Sequence, residues 1–211
     1  MDKKYQIDTF SSFFKVSRET TKSLKKYENL LIKANKSMNL IGNSTVNQIW
    51  HRHILDSFQV IDFIDKNYKK LIDLGSGAGL PGLILAIAAK DRNMNLKVDL
   101  VEKSLKKTKF LRETIKELDL NINVICENVF DEKKKIIGEV FVARAFKPLS
   151  IILEFIHNKA EKWKKIFIFL GKSGKNQLLQ ASKSWNIEYK QSVSVTNSDS
   201  VIIKINNLEK K

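Results

Sequence analysis

The sequence predicts an α/β fold: a mostly parallel, Rossmann-like sheet with an antiparallel C-terminal strand pair and a small helical N-terminal cap. Three observations predict it. Residues 1–66 carry apolar side chains at helical spacing. From 67 to 211, short β-rich runs alternate with amphipathic ones, as in βαβ units. Two β-rich runs then close the chain with a turn between them and no helix. The expected division is therefore 1–66 and 67–211.

In the first part, Leu24, Tyr27, Leu31 and Ala34 fall on one helical face. In "VNQIWHRHILDSFQVIDFI", Ile49, Trp50, His53, Ile54, Phe58, Ile61 and Ile64 share one side of a helix, with Asn43, Ser44 and Thr45 as caps before it. The strands expected next are 70–74, 96–102, 122–126, 139–145 and 165–170, and the helices 80–90, 104–119, 148–160 and 174–184. Along 103–112, Leu105, Thr108 and Leu111 point inward, with Lys106, Lys107 and Lys109 outward. The runs "WNIEYKQSVSV" and "SVIIKIN", joined by "TNSD" at 196–199, should form the antiparallel pair at a sheet edge.

The chain has 211 residues, enough for one sizeable core with a small appended part. The longest apolar run, Leu83 to Ala89, is far shorter than the roughly 20 residues of a membrane span. The first residues are polar and carry no signal-peptide core. Cys126 is the single cysteine, so no disulfide can form within the chain and a reducing, cytoplasmic location is expected. The formal charge of +15 is spread along the chain and makes nucleic acid the leading partner class. The excess is carried mainly by lysine, which compositional bias can also produce. No membrane partner, obligate protein partner or metal site is expected.

The most informative stretch is "LIDLGSGAGLPG", residues 71–82: an apolar strand running into Gly75, Gly77, Gly79 and Gly82. Glycines so placed serve positive φ or close approach of a ligand. In an open parallel sheet, this strand end borders the ligand crevice. No G-x-x-x-x-G-K-[ST] phosphate loop is present, and "GKS" at 171–173 has Ile166 where glycine is needed. A dinucleotide fits Gly77, Gly79 and Gly82, but in a register two residues late and with Pro81 before the third glycine. S-adenosylmethionine fits the register "DLGSGAG", in which Asp73 at the strand tip suits an ammonium and would repel a pyrophosphate. Glu102, at the tip of the second strand, can accept protons from both ribose hydroxyls, a device common to both cofactors.

"RHILDS" (52–57), "IDLGSGAGLPG" (72–82), "LVEKSLKKTKFL" (100–111) and "ARAF" (143–146) occur in this order and spacing. Together they resemble the bacterial small-subunit ribosomal RNA guanine-N7 methyltransferase family, also called the glucose-inhibited division protein B family, from about residue 30 to the end. The resemblance implies a class I S-adenosylmethionine-dependent methyltransferase fold with a helical N-terminal cap. It implies methyl transfer to N7 of a guanine in 16S rRNA near the decoding region, on naked rRNA or on the assembled small subunit. By the same resemblance, Gly75, Leu80 and Arg144 contact the cofactor, and Asn128 and Val129 offer backbone contacts to its adenine. Two departures stand out: Phe130 replaces the family's usual carboxylate, and Gly171-Lys172 reverses its usual Lys-Gly order. Lys172, Arg52 and His53 are candidate substrate contacts, Lys172 to a phosphate. Arg144 is also expected at the end of the fourth strand, orienting O6, a phosphate or the cofactor.

N7 of guanine has an in-plane lone pair and no proton, so its methylation needs no general base. The marks of other methyltransferase chemistries are absent: "ARAFKPL" is not an Asn/Asp-Pro-Pro-aromatic run, and Cys126 follows Ile125 and not a proline. His53 and Asp56, three apart on a helix face, read first as a local cap or core hydrogen bond. Two competing readings stay open at this level: a nicotinamide-dependent oxidoreductase, and an RNA-binding assembly factor that keeps the fold without turnover.

Overall fold

The structure, a computed structural model, describes residues 2–131, 135–194 and 197–211. Helix α1 (Lys3–Phe14) and helix α2 (Arg18–Met38) come first. Side-chain oxygens of Asp2 and Ser17 cap them. A tight 3₁₀ turn (Asn43–Gln48), a π-helical turn (Trp50–Leu55), the short α3 (Asp56–Phe58) and a second 3₁₀ turn (Ile61–Phe63) follow. The continuous helix expected over 46–64 is therefore replaced by an irregular coil of turns. Its apolar residues are nevertheless buried where the periodicity put them: Ile49, Trp50, Ile54 and Phe58 all lie in the core. Two of its backbone carbonyls, those of Arg52 and His53, accept from a side chain of the sheet, as described below.

The alternating part comprises β1 (Lys70–Leu74), α4 (Gly82–Asp91), β2 (Lys97–Val101), α5 (Leu105–Leu118), β3 (Ile122–Ile125), β4 (Ile136–Ile137), β5 (Val140–Arg144), α6 (Leu149–Lys159), β6 (Ala160–Glu161), β7 (Lys165–Leu170), α7 (Gly174–Ala181), β8 (Trp185–Ser194) and β9 (Asn197–Lys210). The main sheet has the order β3-β2-β1-β5-β7-β9-β8. Its first five members are parallel, β9 runs antiparallel to β7, and β8 antiparallel to β9. This is the expected layout of five parallel strands and a final hairpin. The turn expected at 196–199 lies partly outside the described residues, and β9 already begins at Asn197. Two-residue strands β4 and β6 form a separate small parallel ladder that the sequence pattern does not reveal.

Strand periodicity sorts the core into two faces. Val140 and Val142 of β5 join a cluster that also contains Phe10, Leu24, Tyr27, Trp50 and Leu83. Phe141 and Ala143 point the other way, into a cluster with Ile72, Leu149, Ile156 and Ile203. The N-terminal helices thus share one apolar core with α4, α5 and one face of the sheet. One inward expectation fails. Leu105 is 77% exposed, because it is the first residue of α5, directly after the Ser104 cap and ahead of the turn that meets the sheet. Thr108 and Leu111 are buried as expected, with Phe110 beside them.

Candidate active site

The carboxyl ends of β1, β2 and β5 face a cavity of about 480 Å³, within the range of small-molecule sites. Of the residues singled out in the sequence, Gly75, Gly77, Leu80 and Glu102 line it. So do Asn128, Val129, Arg144 and His53. Asp73, Gly79, Arg52 and Lys172 are not on its wall.

The glycine loop is tied to β2 by its backbone. The N–H groups of Gly75 and Ser76 both donate to the Val101 carbonyl, at 2.9 and 3.1 Å. Gly77 N–H donates to Glu102 Oε2 at 3.0 Å, while Ser104 N–H donates to Glu102 Oε1 at 2.9 Å. The carboxylate is thereby fixed with lone pairs left over for hydroxyl donors. A Cβ built on Gly77 meets only the Gly75 carbonyl, at 3.8 Å, so the space beside this residue is open. A carboxylate acceptor at the tip of the second strand, an open glycine wall and apolar surfaces from Leu80 and Val101 suit a nucleoside cofactor. Bound there, S-adenosylmethionine supplies a methyl group carried on a sulfonium.

The loop is also held from the N-terminal side. The fully buried Tyr27 donates from its hydroxyl to the Ala78 carbonyl at 2.9 Å. Leu40, Ile41 and Gly42, in the loop after α2, form part of the cavity wall. Sequence periodicity marks Tyr27 only as core, and nothing in "NLIGN" signals a ligand wall. The aromatic side chains Phe130 and Phe146 and the rim lysines Lys103, Lys107 and Lys147 were likewise missed as site residues. Phe146 had a signal, since it ends the quoted "ARAF"; so had Phe130, at the position of the family's usual carboxylate, and Lys107, on the outward face of 103–112.

Asp73 is displaced from its expected place by strand alternation. It shares the face of Leu71, under α4, and not the crevice. Its Oδ2 accepts from Gly82 N–H at 2.9 Å, while Oδ1 is buried with no hydrogen-bond partner among the described residues. Burial pushes its carboxyl up to about 7, against the lowering effect of Gly82 N–H.

Arg144 shares the face of Val140 and Val142, so it turns toward the N-terminal segment. Its Nη2 donates to the Arg52 carbonyl at 2.6 Å and lies 3.2 Å from Asp56 Oδ2. Its Nη1 donates to Ser57 Oγ at 3.2 Å and to the His53 carbonyl at 3.5 Å. The expectation that this guanidinium orients a ligand is revised: these protein acceptors take both terminal nitrogens. Asp56 also accepts from Gln59 Nε2 at 2.9 Å and from Ser194 Oγ, and it does not bond His53.

His53 Nε2 lies 2.8 Å from Thr45 Oγ1, whose own proton goes to the Gly42 carbonyl at 2.7 Å. The His53 nitrogen is therefore the donor. Burial, aided by the charges of Arg144 and Arg52, pushes the imidazole down to about 3, so it is neutral near pH 7. Cys126 receives a contact from Thr108 Oγ1 at 3.6 Å and is not on the cavity wall.

The fold is that of the class I methyltransferases, with the cavity at the carboxyl ends of its parallel strands. Among solved structures, M. capricolum TrmK in complex with S-adenosyl-homocysteine superposes with a TM-score of 0.53 at 21% identity, over 71% of this chain and 66% of that one. The 16S rRNA methylase RmtB gives 0.53 at 13% identity, over 91% and 76%. The family model for rRNA small subunit methyltransferase G matches residues 20–205, and the chain belongs to that family. The ribosomal RNA small subunit methyltransferase G of Pelagibacter ubique (strain HTCC1062) is 37% identical over 93% of this chain and 92% of its own length. The Rickettsia prowazekii (strain Madrid E) relative of the same name is 36% identical over 93% and 98%. The cofactor is S-adenosyl-L-methionine, which removes the nicotinamide alternative.

An acid whose pKa is raised by folding holds its proton better in the folded state. Its stabilising share is full below the unfolded value and lost as pH rises through the folded one. Thermal melts should show wild-type stability falling relative to Asp73→Asn as pH rises from about 4 to about 7. Tyr27→Phe leaves a buried carbonyl without its donor and should lower stability by about 1–3 kcal/mol in urea titrations. Calorimetry should show weaker S-adenosylmethionine binding in that variant, because the loop loses its tether.

Proposed function

We propose that this enzyme transfers a methyl group from S-adenosylmethionine to N7 of a guanine in 16S rRNA, near the decoding region. The names of its family and relatives support rRNA of the small subunit as the substrate. The observation that carries the N7 reading is the state of His53. The imidazole on the cavity wall commits its Nε2 proton to Thr45, its Nδ1 is buried with no hydrogen-bond partner among the described residues, and burial, pushing the group down to about 3, makes that Nδ1 too weak a base to hold a proton taken from a substrate. A nucleophile with a free lone pair needs no proton removed, so positioning supplies the rate. N7 lies in the deep major groove of paired RNA, so the target guanine is presented in a loop or flipped out.

In this reading Gly75, Gly77, Leu80, Glu102, Asn128 and Val129 hold the cofactor. Arg144 acts from behind, fixing the Arg52–Ser57 segment against the end of β5. Residues 1–66 serve as a cap on the methyltransferase part, 67–211. Lys103, Lys107 and Lys147 at the rim, and Lys172 in the exposed turn after β7, offer phosphate contacts. Among the described residues, no helix is long and apolar enough to cross a membrane. A cytoplasmic reaction on rRNA, naked or within the small subunit, fits this picture.

The deciding experiment is mass spectrometry of 16S rRNA nucleosides from a strain lacking the gene. Loss of a 7-methylguanosine, restored by the gene, is expected; an unchanged nucleoside profile would sink the reading. In single-turnover assays, His53→Gln should slow methylation less than tenfold, with a flat profile across the range of about pH 6 to 8 where a catalytic base would be tuned. Arg144→Ala should lose far more. Binding to 16S rRNA should weaken with salt, the slope of log K against log salt being about −0.7 per phosphate contact on single-stranded RNA.

A further inference from the structure

We infer that Phe146 is the ring on which the target guanine is held, and that its face stabilises the positive charge the purine acquires during transfer. The inference rests on the N7 reading above and deepens it. β5 ends at Arg144, and the next residue, Ala145, takes the left-handed conformation with φ 48°. That conformation is costly for a residue with a Cβ and points to a structural demand at the site. Its effect is to separate two neighbours: Arg144 runs toward the Arg52–Ser57 segment, and Phe146 stands in the cavity. The Phe146 ring is so close to Gly75 that a Cβ there would lie 2.1 Å from Cδ2. It thus sits directly beside the loop that holds the cofactor.

Phe130 backs it, with ring centroids 5.7 Å apart and planes 14° from parallel. The Lys147 ammonium already lies over Phe130, 5.7 Å from its centroid. Phe146 carries no such cation among the described residues, and its half-buried ring forms part of the cavity wall. The chemistry gives that ring a selective role. The N7 lone pair forms the new N–C bond as the C–S bond breaks, its electron pair leaving with sulfur. The positive charge passes from the sulfonium to the purine. An aromatic face binds a cation better than the neutral base. The contact therefore strengthens toward the transition state, which is what accelerates a reaction.

The test compares Phe146→Leu, Phe146→Tyr and wild type. Three readouts are used: single-turnover methylation of 16S rRNA from the deletion strain, calorimetry with S-adenosylhomocysteine, and NMR titration with two nucleotides. The nucleotides are 7-methylguanosine 5′-monophosphate and guanosine 5′-monophosphate, each with S-adenosylhomocysteine present. Phe146→Leu should bind S-adenosylhomocysteine within about threefold of wild type yet transfer methyl about thirtyfold more slowly, the equivalent of about 2 kcal/mol. Phe146→Tyr should stay near wild type. Wild type should prefer the methylated nucleotide, and Phe146→Leu should lose that preference. A leucine variant with the wild-type rate, a loss that merely follows cofactor affinity, or a tyrosine variant as slow as leucine each overturns the inference. So does a wild type that shows no preference between the nucleotides. A wild type that leaves N7 unmethylated overturns the function reading, and this inference with it.

Discussion

The Arg144 guanidinium is the contact on which the architecture of the site depends. A charge taken into protein this far must find acceptors, since an unpaired buried ion is strongly destabilising. Arg144 finds them in the carbonyls of Arg52 and His53, the Ser57 hydroxyl and the Asp56 carboxylate. The π-helical turn presents the Arg52 and His53 carbonyls to this side chain, the His53 oxygen also accepting from Asp56 N–H. Asp56 in turn receives Ser194 from the end of β8. One ion pair thus joins the centre of the sheet, the N-terminal segment and the C-terminal hairpin.

The same docking builds the cavity. Once the Arg52–Ser57 segment is seated, His53 stands on the wall, and its bond to Thr45 fixes the turn that follows Gly42. Tyr27 then reaches Ala78 from α2, while Glu102 holds Gly77 from β2. The glycine loop is clamped between two parts of the chain that are 75 residues apart at Tyr27 and Glu102. A mobile loop would have to be ordered by its ligand at an entropic cost; a loop tethered on both flanks is preorganised. The N-terminal part thus contributes to the cavity wall and its support, and is not only a cover over it.

Most of the sheet is legible because burial on two faces writes itself into β-rich runs, and the five parallel strands fall within a residue or two of expectation. The glycine loop, Glu102 and "ARAF" are legible because backbone geometry demands particular residue types there. Tyr27 is not, since a buried tyrosine reads the same whether its hydroxyl meets a site or a distant carbonyl. The irregular winding over 46–64 is hidden because its apolar pattern suits an ordinary helix, while the side chain that docks on its carbonyls lies some 90 residues away. The placements of Asp73 and Arg144 were within reach. Alternation along β1 puts Asp73 with Leu71, and alternation along β5 puts Arg144 with Val140 and Val142. Strand-end position outweighed strand face in that reading, and face is what decides direction.

Gly75 carries a related lesson about glycine motifs. Positive φ and crowding are usually ascribed to the ligand such loops bind. At Gly75, where φ is 72°, the crowding comes from the protein's own Phe146, whose ring occupies the place of a Cβ. Gly77, by contrast, opens onto free space beside the cavity. Two glycines in one five-residue loop therefore answer to different constraints: one admits an aromatic side chain from the neighbouring strand end, the other borders the open cavity. Strain at Ala145 belongs with the first, because it delivers that ring. Loop and aromatic ring form one unit, in which the shape of the loop on the cavity wall also sets the position of the Phe146 ring.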